Sequence, residues 1–96
     1  MDEDSILNLV KAVLGYRSTV RDELLKVIIK GVISELEKTI GIELDESNDE
    51  HFMFIVDLVA FRYKHQGGET MPRNLEYRLR NLIIKYRGKN LSLIHI

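Results

Sequence analysis

The sequence predicts an all-α domain, a small bundle of four helices followed by a short irregular C-terminal tail. Apolar residues recur three and four positions apart in four segments, and glycine, proline or polar turns separate these segments. The chain has 96 residues, of which 45% are hydrophobic, enough for one hydrophobic core and too few for two domains. We therefore expect residues 1–88 to form one helical domain and residues 89–96 to form the tail.

The first two predicted helices are separated by a link that starts at Gly15. Asp4 and Ser5 can cap the first helix, and the glycine can end it. The second helix is predicted over residues 20–40, and its apolar stripe consists of Leu25, Ile28, Ile29, Val32, Ile33, Leu36 and Ile40. Glycine inside a helix costs about 1 kcal/mol relative to alanine, so we expect a neighbouring backbone to pack closely against Gly31.

The third helix is predicted over residues 51–65, after an acidic loop in which Ser47 or Asn48 can cap it. It is apolar on nearly every side, which is typical of the centre of a bundle or of half an oligomer interface. In so short a chain we expect three neighbouring helices to leave part of it for a second copy. Its single internal acid, Asp57, has three environments open to it: pairing with an arginine such as Arg62 or Arg78, a hydrogen bond at a subunit contact, and exposure.

The fourth helix is predicted from about Pro72, which suits a first turn, to Gly88, which suits a C-cap. Its apolar stripe consists of Leu75, Leu79, Leu82, Ile83 and Tyr86. Residues 91–96 read Leu-Ser-Leu-Ile-His-Ile. We interpret them as adapter-derived sequence that is not native, and exclude them from functional interpretation.

No residue pattern indicates a catalytic, cofactor or metal site. The chain has no cysteine, and its three histidines lie far apart. Asp45, Ser47 and Asp49 fall at alternating positions like the start of a calcium loop, but Glu50 stands where the sharp turn needs glycine. Gly67 and Gly68 lack the lysine and hydroxyl of a phosphate loop. We therefore expect no enzymatic activity, no cofactor and no metal.

Charge is balanced in total but not along the chain. There are 14 basic and 15 acidic residues, giving a net charge of -1. Residues 41–57 hold six acids and no lysine or arginine, whereas residues 62–89 hold eight bases and two acids. This predicts a dipolar molecule, and three uses of its basic side stay open: contact with phosphates, head-to-tail assembly, or simple solvation. No apolar run is long enough to span a membrane, so no membrane partner is expected.

The order of these elements resembles the small head–tail connector (adaptor) proteins of tailed bacteriophages and prophages. The resemblance covers residues 5–88, and its most specific parts are Val56–Tyr63 and Met71-Pro72 with the leucines that follow. It implies a structural virion protein, made in the host bacterial cytoplasm and located in the virion neck. Such a protein assembles as a homo-oligomeric ring, commonly twelvefold, between the portal protein and the stopper or tail-completion protein. Genomic DNA passes through the ring without sequence-specific binding.

Three groups of candidate residues follow from this function. Aromatic rings and arginines suit a subunit interface, and the candidates are Phe54, Asp57, Phe61, Tyr63, Arg73, Arg78 and Arg80. The resemblance implies that the segment after the last helix docks on the portal, which here means Arg87, Lys89 and Asn90. Turn-prone composition predicts mobile loops at Glu43, Asp45, Glu46, Asp49, Gly67 and Gly68.

Two other functions stay open. The first is a small helical DNA-binding protein or terminase-type packaging regulator, with the fourth helix as its basic reader. About six residues including two glycines precede that helix, where a recognition helix follows a shorter turn. The second is a monomeric scaffold for another partner.

Overall fold

The structure is a computed structural model that describes residues 1–68 and 70–86. It contains α1 (Glu3–Leu14), α2 (Asp22–Ser34), α3 (Asp49–Lys64) and α4 (Arg73–Tyr86), and a π-helical segment, Glu35–Ile40, extends α2. The described residues form no β-strand. The predicted all-α bundle of four helices is confirmed. Gly88, the portal-docking candidates Arg87, Lys89 and Asn90, and the whole tail lie outside the described residues.

The first helix begins earlier than predicted and ends as predicted. The Asp2 carboxylate accepts hydrogen bonds from the amides of Asp4 and Ser5, so it caps the helix in place of those two residues. At the other end Gly15 adopts a φ of 78°, and the Tyr16 amide donates to the Lys11 carbonyl at 2.9 Å. This left-handed closure needs glycine.

The apolar stripe predicted for the second helix is confirmed. Leu25, Ile29, Val32 and Leu36 are buried, and Ile28, Ile33 and Ile40 are partly buried against the same core. The helix starts at Asp22 rather than at residue 20. Its last turn widens, because the amides of Gly41 and Ile42 both donate to the Leu36 carbonyl, and Gly41 ends it with a φ of 88°.

α3 is the centre of the bundle. It contacts α1, α2 and α4, and α1 also contacts α2. Its buried residues are His51, Phe54, Ile55, Val56, Leu58, Val59, Ala60 and Tyr63. Its three neighbours cover most of this helix, but Met53 is 40% exposed and Phe61 is only partly buried. Part of the helix is thus left uncovered by the other described helices, and its contact with a second copy stays a prediction.

Two of the three aromatic interface candidates belong to the core. Phe54 is fully buried. Tyr63 is also buried; its hydroxyl accepts a hydrogen bond from Arg21, and its ring meets that of Tyr16 edge to face, with centroids 5.8 Å apart. Neither ring can reach a neighbouring copy, which corrects their assignment to a subunit interface. Phe61 is only partly buried, so its assignment stays a prediction.

The acidic loop before α3 is attached to the bundle at several points, among them an ion pair of Glu46 with the N-terminal amine of Met1 at 3.1 Å. Ile42 is buried, an apolar anchor that the sequence pattern did not reveal. The Glu43 amide donates to the Tyr86 carbonyl at 3.0 Å. The Asp45 amide donates to Nδ1 of His51, also at 3.0 Å. The loop therefore links the end of α4 to the start of α3.

The start of α3 corrects one loop assignment. Asn48 is the N-cap, and its side-chain oxygen accepts hydrogen bonds from the amides of Glu50 and His51. Asp49 is consequently the first residue of the helix rather than part of a loop. Mobility stays a prediction for Glu43, Asp45, Glu46, Gly67 and Gly68.

Gly31 does not pack closely against any other element among residues 1–68 and 70–86. A Cβ atom placed on it would meet no atom within 4 Å, and the residue is exposed. The expectation of a close backbone neighbour was therefore wrong within the monomer. The glycine weakens the helix without any compensating contact among residues 1–68 and 70–86.

Replacing Gly31 with alanine is expected to raise the free energy of unfolding by about 0.5–1 kcal/mol, because alanine restricts the unfolded backbone and fits the open site. Urea unfolding followed by circular dichroism measures this difference. The matched control is Gly15→Ala, which is expected to destabilise the chain because φ is positive there. A Gly31→Ala chain less stable than the wild type would contradict the assignment of an open site.

Candidate interaction surface

The single internal acid of α3 pairs with α4. The Asp57 carboxylate accepts a hydrogen bond from the Arg78 guanidinium at 2.7 Å, and each side chain is 35% exposed. Of the three environments considered for Asp57, the structure shows pairing with an arginine. Both groups are paired within one chain and stay partly exposed, so their assignment to a subunit interface stays a prediction.

A second ion pair locates α2 relative to α4. Arg62 of α3 pairs with Glu35, at the point where α2 continues into the π-helical segment. Positions 57 and 62 are five residues apart, which is about 140° around an α-helix. α2 and α4 therefore pack on different sides of α3, and their outward surfaces point in different directions.

The outward surface of α4 combines arginine with apolar side chains. We call it the α4 face, and its residues, spaced by four, three and four positions, are Arg73, Tyr77, Arg80 and Ile84. Tyr77 is 68% and Ile84 is 78% exposed. None of the ion pairs among residues 1–68 and 70–86 includes Arg73 or Arg80. Two predicted interface arginines are thus available on this face.

A shallow depression of about 290 Å³ lies on the α4 face. Arg73, Glu76, Tyr77 and Arg80 line it. Its lining residues provide positive and negative side chains and one aromatic ring, which suits binding of a protruding side chain of a partner.

The outward surface of α2 is apolar. We call it the α2 face, and it consists of Val20 in the turn before the helix, followed by Leu24, Val27 and Gly31. Val20 is 85% and Val27 is 66% exposed. A stripe of exposed aliphatic residues that ends in a helical glycine is unusual for a solvated helix, because such residues normally pack inward.

Sequence reasoning missed the α2 face, although its signal is present. Val20, Leu24, Val27 and Gly31 repeat at the same helical spacing as the core stripe, but on the opposite side of the helix. Only the longer stripe was interpreted. Gly31, a residue that costs stability inside a helix, is the member of this stripe that stands out in the sequence.

Two further depressions, of about 320 and 310 Å³, adjoin Phe61 near the end of α3. Residues 1–68 and 70–86 contain no group of three or more histidine, aspartate or glutamate side chains placed to hold a metal ion. Within the same residues, no helix has the length and apolar character needed to cross a membrane. Met53 on α3, 40% exposed, adds little apolar surface beyond the two faces.

Comparison with family models, curated proteins and solved structures gave no match to this chain.

Proposed function

We propose that this chain is a structural adaptor of the head–tail connector type, which assembles as a ring under the portal protein and forms part of the DNA passage between capsid and tail. The observation that carries the proposal is the pair of unlike exposed helix faces on different sides of one small bundle. A contact between two unlike surfaces is heterologous, and repeating it generates a closed ring when the rotation between copies closes. The order of the four helices adds support through its resemblance to connector proteins.

The proposed contact surfaces are not those that the sequence first indicated. Most apolar residues of α3 are buried in the core, so we assign the apolar surface for neighbours to α2 and α4 instead. Part of the charge dipole is also used within the chain, since Arg62, Arg78 and Lys85 pair with acids of the same molecule. Arg73 and Arg80 keep the electrostatic role in assembly.

The test is the mass of the purified chain in solution. Light scattering after size exclusion, from micromolar to near-millimolar protein and at low and high salt, is expected to show association that rises with concentration. Adding the portal protein encoded by the same genome is expected to produce rings visible by electron microscopy, because a circular template raises the effective concentration of neighbours. A chain that keeps the mass of one 11.2 kDa protomer under every condition, portal included, would refute the proposal.

A DNA-binding regulator is the second candidate, and the α4 face is what favours it. Arg73 and Arg80 flank Tyr77, an arrangement able to contact phosphates. A gel shift on random duplex at low salt tests it: micromolar binding that Arg73→Ala and Arg80→Ala abolish would favour the regulator. Arg78→Ala is a poor probe, because Arg78 supports the fold through Asp57.

A further inference from the structure

We propose that the α2 face of one copy receives the α4 face of the next copy, with the two helices antiparallel. This inference rests on the proposed self-assembly and names the surfaces that perform it. The occupant of the α2 face is thus a second copy of this chain. Three observations carry the assignment: matched spacing, matched polarity and matched charge.

The two faces have the same spacing when one of them is reversed. On α2 the residues of the face are 24, 27 and 31, with Val20 in the turn before the helix, and on α4, counted backwards, they are 84, 80, 77 and 73. The helical residues 24, 27 and 31 step by three and four, as do 80, 77 and 73, so an antiparallel pair sets these three positions opposite each other, with Val20 on the side of Ile84. Residues with this spacing share one side of a helix, and such ridges fit between those of a partner helix.

The antiparallel arrangement also matches polarity. Val20 meets Ile84 and Val27 meets Tyr77, which joins the most exposed apolar residues of the two helices. Leu24 meets the aliphatic stem of Arg80, a favourable contact for a long basic side chain. A parallel arrangement would instead set Val20 and Val27 against the guanidinium groups of Arg73 and Arg80.

Gly31 acquires a role in this arrangement. It stands level with Arg73 of the next copy, and it has no side chain and no atom of its own chain near the position of a Cβ. The missing side chain leaves room for the longer arginine. The close neighbour expected from the sequence is then supplied by another protomer.

One of the flanking charges of the α2 face finds an opposite charge on α4. Glu23 and Lys30 each precede a residue of the α2 face and lie on one flank of it, and both are exposed. The like flank of α4 carries Glu76 and Arg80, and like flanks meet when two helices run antiparallel. Glu23 then lies one residue from the position opposite Arg80. Lys30 lies two residues from the position opposite Glu76 and one residue from the position opposite Arg73, so opposite and like charges both neighbour it.

These offsets are within reach of the side chains. One and two residues correspond to about 1.5 and 3 Å along a helix. Glu23 is 92% exposed and lies 3.9 Å from Lys26, a loose contact that a stronger partner can replace. Each subunit contact therefore gains one clear opposite-charge pair, Glu23 with Arg80, which favours this register.

Disulfide trapping tests the contact directly. Because the sequence contains no cysteine, only the introduced cysteines can form disulfides. Val27→Cys and Tyr77→Cys are prepared as separate chains of different mass, mixed at high concentration and oxidised mildly. Both sites are exposed, so folding is preserved. The mixed 27–77 disulfide is expected to exceed both homodimers. Asn8→Cys on α1, an exposed site outside both faces, is the matched control with Tyr77→Cys.

Charge reversal tests the register. Glu23→Arg alone and Arg80→Glu alone are each expected to weaken association by roughly tenfold or more, since an attractive contact becomes repulsive. The variant with both substitutions restores opposite charges at positions 23 and 80 of neighbouring copies, with their signs exchanged, and is expected to recover the affinity of the wild type. Light scattering measures all three variants beside the wild type.

The outcomes separate this inference from the proposed function. A dominant 27–77 disulfide with charge rescue supports the α2–α4 contact. A dominant 27–27 disulfide, or trapping no better than the Asn8 control, overturns it. Wild-type rings that form without 27–77 trapping would overturn the contact while the adaptor function stands, whereas a wild type that never associates with itself or the portal protein refutes the function.

Discussion

Replacing Phe54 with alanine is expected to lower the free energy of unfolding by about 3–5 kcal/mol, because it removes a fully buried aromatic ring and leaves a cavity. Single domains have only about 5–15 kcal/mol of stability in total. The variant should therefore unfold at much lower urea concentration, as circular dichroism would record. The substitution also removes a contact of Arg78, the partner of Asp57, because the Arg78 guanidinium lies 5.5 Å from the centre of the Phe54 ring.

The matched control for Phe54→Ala is Met53→Ala. Met53 is the preceding residue of the same helix but is 40% exposed, so its removal is expected to change stability by less than about 1 kcal/mol. A Phe54→Ala chain that unfolds like the wild type and yet no longer self-associates would restore Phe54 to the subunit interface.

The second large effect concerns His51, which is 1% exposed. Its Nδ1 accepts the Asp45 amide, so the proton resides on Nε2, which has no hydrogen-bond partner among residues 1–68 and 70–86. The ring meets that of Tyr86 edge to face, with centroids 4.2 Å apart. Burial lowers the pKa of His51, although the negative charges of Glu50 and Asp45 act in the opposite direction.

Stability is therefore expected to fall on mild acidification. As the pH drops through the ordinary histidine pKa of 6.5, the unfolded chain takes up a proton that the folded chain still refuses, so the free energy of unfolding declines. The decline from this group ends below its lowered pKa in the folded state. One proton gives at most about 1.4 kcal/mol per pH unit. Urea unfolding at a series of pH values around and below 6.5 measures the slope.

His51→Gln separates this effect from the titration of carboxylates. Glutamine offers an oxygen acceptor without a titrating group, so the slope below the ordinary histidine pKa is expected to flatten. Equal slopes in His51→Gln and the wild type would show that the buried ring is not the source of the pH dependence.

The sequence predicted the helices well because each buries a long apolar stripe. Leu25 to Leu36 on α2 and Leu75 to Leu82 on α4 repeat at helical spacing, and these residues face the core as expected. Helix ends were less predictable, because several polar residues compete for each cap. Asp2 is the N-cap of α1 because its carboxylate accepts hydrogen bonds from two backbone amides. The spacing of apolar residues gives no information about such a cap.

The position of a helix in the bundle was harder to predict than its existence. The apolar character of Phe54 and Tyr63 indicates burial, but it does not say whether the same chain or another copy covers them. The partner of Asp57 depended on how α4 crosses α3, so the sequence left several choices. Val27 and Gly31 were overlooked because their stripe is short and its proposed partner lies outside the chain.

Because α4 packs mainly on α3, it is the part of the bundle that can detach while α1, α2 and α3 stay closed. Such a partial opening would uncover Leu75 and Leu82 and let the amides of α4 exchange with solvent before those of α3. A second protomer seated on the outer side of α4 would clamp this helix between two surfaces. Docking of α4 on its own bundle and binding of a second protomer would then stabilise each other, because both involve α4.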